Sequence, residues 1–411
     1  MRGTIKHALL AGLTICLPLL SNSACADDAA RIRALEEKLE RSLTLIEALQ
    51  RKVEALEAER QPVAAAPAVR VAPAAPLRTS AAPPLRGFAD VVGAHRSGNH
   101  HDGSEGFAVG NLDLYLTPDL GGKVRSLVEL VFEMEHDGES IAEIERAQIG
   151  YAFGDALTLW AGRYHYPFGY WNTAFHHGAQ LQTAITRPRF LAFEDHGGIL
   201  PMHGVGLWAT GRLDAGDERL RYHAYMANAP SVNEEGVLDV HAAGRDGFRA
   251  STGLTLAWQP AAVRGLEVGL HGLRTRADLP DGSDSRIRML GGFAAYLDGP
   301  VELIAEGYHF DNDNTTGAGS RESTAWFLQG AYAVGRVTPF VRLERTSLDD
   351  ADPYFAALGG GRSYRRAAFG LRVDVTAAAA LKLELAQLVV DEDSDRDERG
   401  NEAFVQYAIR F

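Results

Sequence analysis

From residue 85 onward the chain alternates short and long connections between stretches of period-two hydrophobicity. The short set is "TPDLGG", "GDA", "DAGDE", "QPAAV", "DGP", "GR" and "TAAAA". The long set falls between them, at 95–106, 134–141, 165–203, 228–247, 276–285, 311–323, 347–364 and 391–400. A soluble sandwich has no reason to sort its loops by parity. A barrel crossing an outer membrane does, with short turns on the periplasmic side and longer loops outside. About sixteen strands are expected, each near the length that a tilted membrane-crossing strand needs. An even count places both ends of the barrel on the periplasmic side.

Two further features agree. Past the N-terminal segment no run of about 18 apolar residues occurs, so no transmembrane helix is expected. In lipid every backbone polar group must then be satisfied by closing the sheet. The carboxy-terminus supports closure: Ala403, Val405, Tyr407, Ile409 and Phe411 form the apolar face of an alternating strand that ends the chain. A free end is normally frayed and polar. An apolar one fits a last strand that pairs with the first and turns Tyr407, Ile409 and Phe411 to lipid.

The N-terminal residues read differently. Arg2 and Lys6 precede "ALLAGLTICLPLL" and "SNSACA", and Ala24 and Ala26 satisfy a small-residue cleavage rule. Residues 1–26 are therefore expected to be a secretory signal. A lipoprotein reading with Cys25 acylated is disfavoured by Asn22, where a leucine is expected. Both cysteines, Cys16 and Cys25, lie in this segment, so the mature chain has no disulfide, thiolate or Cys-based metal chemistry. Within 27–60, Ile32, Leu35, Leu39, Ile46, Leu49, Val53 and Leu56 occupy a and d of a heptad repeat that only Ser42 interrupts. A short periplasmic coiled coil and self-association are expected. Residues 61–84 are a Pro/Ala tract, expected as a semi-extended linker. The barrel should occupy 85–411.

Strand alternation divides lumen from lipid. It puts Val124, Val128, Leu130 and Phe132 outward, with Lys123, Arg125 and Glu129 inward. It puts Ile287, Met289 and Phe293 outward, with Arg286 and Arg288 inward. Arg342 and Glu344, Arg372 and Asp374, and Lys382 and Glu384 are likewise expected inside, together with Glu302, Glu306, Gln406 and Arg410. Lys123, Arg125, Arg288, Arg342 and Arg372 are the expected pore-lining cations. A polar interior of both signs at this strand count implies water and a channel, although a barrel plugged by its own loops is an alternative.

One segment lacks alternation: "HYPFGYWNTAFHHGAQLQTAITRPRFLAFEDHGGILPMH". It is aromatic, punctuated by Pro and Gly, and charged. Left outside, so apolar a loop would be exposed without purpose. Folded into the lumen it would bury its rings and present Arg187, Arg189, Glu194 and Asp195 as a constriction. The stretch Gly162, Arg163, Tyr164, Pro167 and Phe168 at its start resembles one that leads into the constriction of Gram-negative general and phosphate-type porins, closest to the porin O and P family, and the resemblance implies that Arg163 belongs to the constriction too. The resemblance implies a trimeric outer-membrane barrel, inserted by the outer-membrane assembly machinery, that passes small hydrophilic solutes. It also implies that a C-terminal aromatic such as Phe411 serves as the assembly signal.

Other classes fit less well. The chain carries 54 acidic against 41 basic residues, which argues against a nucleic-acid partner. No nucleophile elbow, H-E-x-x-H, P-loop or dinucleotide fingerprint is present, so no enzyme activity and no cofactor are expected. Histidines cluster at His95, His100, His101 with Asp102, and at His176, His177 and His196. Such clusters can bind divalent transition metals, but are read here as polar loop residues, with no metal expected. The acidic "VVDEDSDRDERG" lacks the spacing of a calcium loop. A structural alternative is an anchor that tethers the membrane through its coiled coil.

Overall fold

The computed structural model describes residues 85–98, 105–134, 140–240, 249–315, 319–391 and 398–411. The expected signal segment, coiled coil and linker lie outside the described residues, as do His100, His101, Asp102 and residues 392–397 of the acidic loop.

The first half of the sheet comprises β1 (Arg86–Gly98), β2 (Gly106–Leu116), β3 (Val124–Met134), β4 (Ser140–Gly154), β5 (Leu157–His165), β6 (His203–Ala215) and β7 (Glu218–Asn228). A small loop hairpin follows, β8 (Ser231–Val232) and β9 (Leu238–Asp239). The second half comprises β10 (Ala250–Gln259), β11 (Leu266–Asp278), β12 (Asp284–Asp298), β13 (Val301–Asn314), β14 (Gly319–Tyr332), β15 (Val337–Ser347), β16 (Tyr364–Thr376), β17 (Ala379–Val390) and β18 (Glu398–Arg410). Setting aside the two strands of the loop hairpin, sixteen antiparallel strands pair each with the next, β7 with β10, and β18 back to β1. The expected sixteen-stranded, closed, all-β barrel is thus present.

Closure reaches the last residue. Val91 stands opposite Tyr407 and Phe88 opposite Arg410. The Gly87 and Phe411 backbones exchange both N–H···O bonds at 3.0 Å, so the carboxy-terminus is held in the ladder.

The alternation read from sequence holds in β17. Leu381, Leu383 and Leu385 are 44%, 41% and 36% exposed, while Lys382 and Glu384 between them are fully covered. In β15, Val341 and Leu343 are exposed and Arg342 and Glu344 are buried. Tyr151, Phe153, Trp258, Tyr332, Tyr407 and Phe411 are exposed near the short-turn ends of their strands. That is where an aromatic girdle meets the membrane interface.

β12 reverses the expectation. Ile287, Met289 and Phe293 are buried inside, whereas Leu290 is 64% exposed on the face shared with Arg286 and Arg288. Arg288 is therefore on the outer face, where it donates to Asp311 Oδ2 at 3.1 Å across to β13. Both arginines lie at the long-loop end of the strand, where the outer wall has left the hydrocarbon and charge is tolerated. The apolar residues face inward because the barrel interior there is packed with aromatic side chains.

Candidate functional site

The long segment between β5 and β6 supplies that packing. It holds a short helix α1 (Trp171–Ala174) and two single 3-10 turns, Arg189–Leu191 and Glu194–His196. Tyr166, Phe168, Trp171, Phe190 and Leu191 are at most 1% exposed and form one cluster with wall residues such as Tyr308, Phe310 and Phe327.

Polar contacts fix the segment along β13 to β17. The Trp171 N–H donates to Glu306 Oε1 at 2.5 Å, and the Thr183 hydroxyl to Glu302 Oε2 at 2.7 Å. Ile185 and Thr186 N–H donate to Glu384 Oε2 at 2.8 and 3.1 Å. The Arg189 N–H donates to Glu344 Oε2 at 2.7 Å. In return Arg342 donates to the Thr186 carbonyl at 2.7 Å, and Arg372 to the Gln180 and Gln182 carbonyls at 2.5 and 3.0 Å. Lys382 donates to the carbonyls of Ala179 and Ala184. Wall carboxylates thus take the loop's N–H groups and wall cations its carbonyls, which is how irregular backbone is satisfied at membrane depth.

Gly169 makes the entry possible. Its φ is +67°, and a Cβ there would run into Glu306 and Tyr308, whose hydroxyl donates to Glu306 Oε2 at 2.6 Å.

The expected constriction residues are distributed differently from one another. Arg187 is consumed within the loop. It donates to the Leu191 carbonyl at 2.8 Å, the His176 carbonyl at 3.0 Å and Asn172 Oδ1 at 3.2 Å, and lies 4.0 Å over the Phe193 ring. Burial pulls its pKa down to about 10, against the opposing pull of Glu194 and Glu145. Arg189 lies 6.0 Å over Tyr364. Glu194 is buried and accepts from the Met202 N–H at 2.6 Å, the His203 N–H at 3.0 Å and His203 Nδ1 at 3.0 Å. Burial alone would raise its pKa, but His203 and these bonds together hold it below the ordinary carboxylate value. Asp195 is exposed. Arg163 donates to the Glu145 carbonyl at 2.9 Å.

Of the expected pore-lining cations, Arg342 and Arg372 are inside and engaged with the loop. Lys123 lies in the turn before β3 and donates to the Phe153 carbonyl at 3.4 Å. Arg125 is exposed and bonds the adjacent turn, donating to the carbonyls of Gly122 at 3.0 Å and Val124 at 2.9 Å. Both serve the short-turn rim, and Arg288 the outer face.

Two cavities flank the inserted segment. One of about 230 Å³, near the long-loop end, is lined by Glu133, Glu143, Glu145, Glu194, Asp195 and Asp239, with Arg163, His177 and His203. The other, about 170 Å³, lies between the segment's first residues and the wall of β4, β6, β7 and β10 to β12. Arg146, Arg221, His223 and Glu267 line it. Arg146 pairs with Glu129, and Arg221 with Glu267.

Sequence reading did not single out these wall residues, nor the grouping of His165, His176, His177 and His203 around Glu145. His176 and His177 are not solvated loop residues: they are 9% and 5% exposed. Only the recurrence of His at both ends and the middle of 165–203 hinted at it. His196 stays exposed beside Asp195 at 3.8 Å.

No protein-family model matches the chain, and no curated protein matches it by sequence. By shape it is similar to the anion-selective porin from Comamonas acidovorans, at TM-score 0.57 and 14% identity over 80% of this chain and 98% of that one. It is similar to the outer membrane channel DcaP of Acinetobacter baumannii at TM-score 0.56 and 11% identity, covering 80% and 96%. Pseudomonas putida OprB aligns at TM-score 0.52 and 12% identity, covering 80% and 93%. The described barrel therefore has the fold of outer-membrane porins.

Proposed function

We propose that the chain is an outer-membrane porin, a water-filled passive channel for small hydrophilic solutes, with residues 166–202 as its constriction. The observation that carries this reading is the insertion of that segment against the charged inner faces of β13 to β17, beside polar cavities. An insertion of this kind narrows the passage while keeping water and fixed charge along it. We further propose that three chains assemble in the membrane. A trimer form is known for OmpT of Vibrio cholerae, whose barrel this one resembles at TM-score 0.53. Tyr407, Ile409 and Phe411 are proposed as the signal for the assembly machinery.

The outer cavity sets the expected preference. Six carboxylates line it against one arginine and two histidines. In a narrow aqueous space with low-dielectric walls such an excess shifts the local potential by several kT and concentrates cations.

The test is purified protein in a planar bilayer. Stepwise conductance, with a reversal potential of cationic sign in a salt gradient, supports the reading. A silent bilayer despite folded, inserted protein overturns the channel and favours the anchor.

A further inference from the structure

Five side chains from four places in the chain meet beneath the acidic cavity: Glu145 of β4, His165 at the end of β5, His176 and His177 of the inserted segment, and His203 at the start of β6. One donor atom from each lies within 4.8 Å of all the others. His176 Nε2 and His203 Nε2 are 3.1 Å apart. His203 Nε2 is 2.6 Å from Glu145 Oε2, and His177 Nε2 is 3.5 Å from Glu145 Oε1. A tetrahedral ion bound at about 2.0–2.1 Å by nitrogen and oxygen places its ligand atoms roughly 3.3 Å apart. The observed separations bracket that value.

The outer atoms of two rings are already committed. His176 Nδ1 lies 2.9 Å from Asn172 Oδ1, and His203 Nδ1 lies 3.0 Å from Glu194 Oε2. Each oxygen accepts the ring's N–H and turns that ring's Nε2 to the centre, where His176 Nε2 presents a lone pair and His203 Nε2 stands 2.6 Å from Glu145 Oε2. Two Nε2 atoms and a carboxylate oxygen this close in a buried site need a proton or a metal ion among them. His165 Nε2 and His177 Nε2 are buried and make no well-formed hydrogen bond: their nearest carboxylates, Glu129 and Glu145, stand 3.6 and 3.5 Å away. A half-satisfied buried polar group of this size is costly unless something else completes it.

The geometry points to a binding site for one divalent transition-metal ion of the Zn²⁺ class, held by Glu145, His176, His177 and His203. His165 stacks on His176, with ring centroids 3.2 Å apart and planes 14° apart, and stands as a fifth donor. The imidazole-rich set selects against Mg²⁺ and Ca²⁺, which take oxygen ligands. The acidic cavity that contains Glu145, His177 and His203 gives the ion its way in. Because two ligands belong to the inserted segment and two to the wall, the bound ion staples the start of that segment to β4 and β6.

The experiment uses the full chain, purified in detergent and stripped with a chelator. Calorimetric titration with Zn²⁺ is expected to show one ion per chain with sub-micromolar affinity and no comparable heat with Mg²⁺. Co²⁺ is expected to give the intense visible absorption of a four-coordinate ion. The H176Q/H203Q variant is expected to lose both signals, while D195N/H196Q, which removes the neighbouring exposed group, keeps them. Wild-type protein that binds no stoichiometric Zn²⁺ overturns the proposal and leaves a protonated His203 between two carboxylates. Undiminished binding by H176Q/H203Q overturns it by placing the ion elsewhere. Where that double variant does not fold, a six-coordinate, weakly coloured Co²⁺ complex in the wild type overturns it equally.

Discussion

Replacing Glu384 by glutamine should loosen the centre of the inserted segment while leaving the barrel closed. Glu384 Oε2 accepts the N–H groups of Ile185 and Thr186 at 2.8 and 3.1 Å, and Oε1 accepts the Thr186 hydroxyl at 2.5 Å and Arg366 at 3.0 Å. The amide has the same shape but only one acceptor oxygen. Its NH₂ would face either the two loop N–H groups or Arg366, donor against donor. Each charge-assisted bond lost is worth about 1.5–3 kcal/mol, and breaking a buried ion pair from one side costs about 3–5 kcal/mol. These describe the same groups, so about 3–5 kcal/mol is the combined figure. At about 1.4 kcal/mol per tenfold, the population with residues 180–187 detached should rise roughly 100-fold to 4000-fold. Arg342 and Arg366 keep Glu344 as a partner, at 2.8 and 3.0 Å, so the wall itself should hold. Single-channel recording should show added flicker to a higher conductance, with unchanged heat-modifiable mobility on a gel. If the variant's mean conductance and current noise equal those of the wild type, the segment is not a constriction held by this carboxylate.

Further outcomes are expected. Deleting Phe411 removes the residue whose backbone completes the Gly87 pair, and less heat-modifiable barrel should reach the membrane; normal levels by gel shift would contradict this. D195N with D239N removes two carboxylates of the outer cavity, so the reversal potential should move toward anions, most clearly at low salt where screening is weak. Arg187→Ser removes bonds internal to the segment, so its main effect should be a lower thermal midpoint, with little change of ion preference. Gly169→Ala forces a side chain into a positive-φ position against Glu306 and Tyr308; a cost of about 1–3 kcal/mol should appear as a lower melting temperature by circular dichroism.

The barrel was legible because its constraints are local and repeated. Period two, loop parity and the apolar last strand each follow from the same membrane geometry, so all sixteen strands were found, with small errors at their ends. The face of β12 was misread for a physical reason. Alternation gives two faces but does not label them, and the labels came from assuming that apolar means lipid. Ile287, Met289 and Phe293 break that assumption because the inserted segment makes part of the lumen as apolar as a protein core. Lys123 and Arg125 failed at a strand end, where a side chain can bond a turn instead of facing the lumen.

The site was less legible because its partners lie far apart in sequence. Arg187 reads as a pore cation only until Asn172 and the carbonyls of His176 and Leu191 are seen around it. The same holds for Arg342, whose guanidinium serves the Thr186 carbonyl and Glu344. Charges that alternation assigns to the lumen thus divide among several tasks: Glu302, Glu306, Arg342, Glu344, Arg372, Lys382 and Glu384 fasten the segment, while Lys123 and Arg125 bond a turn and Arg288 faces outward. Fastening charges that pair at short range, as Arg342 does with Glu344, have fields that largely cancel at longer distance. In the proposed channel the remainder would act on the solute, and in the outer cavity six carboxylates outnumber Arg163, His177 and His203, even with Glu145 and Glu194 sharing His203. An ion preference inferred by counting lumen arginines against lumen glutamates would therefore weigh the wrong residues. The residues to weigh are those left over once the segment is seated.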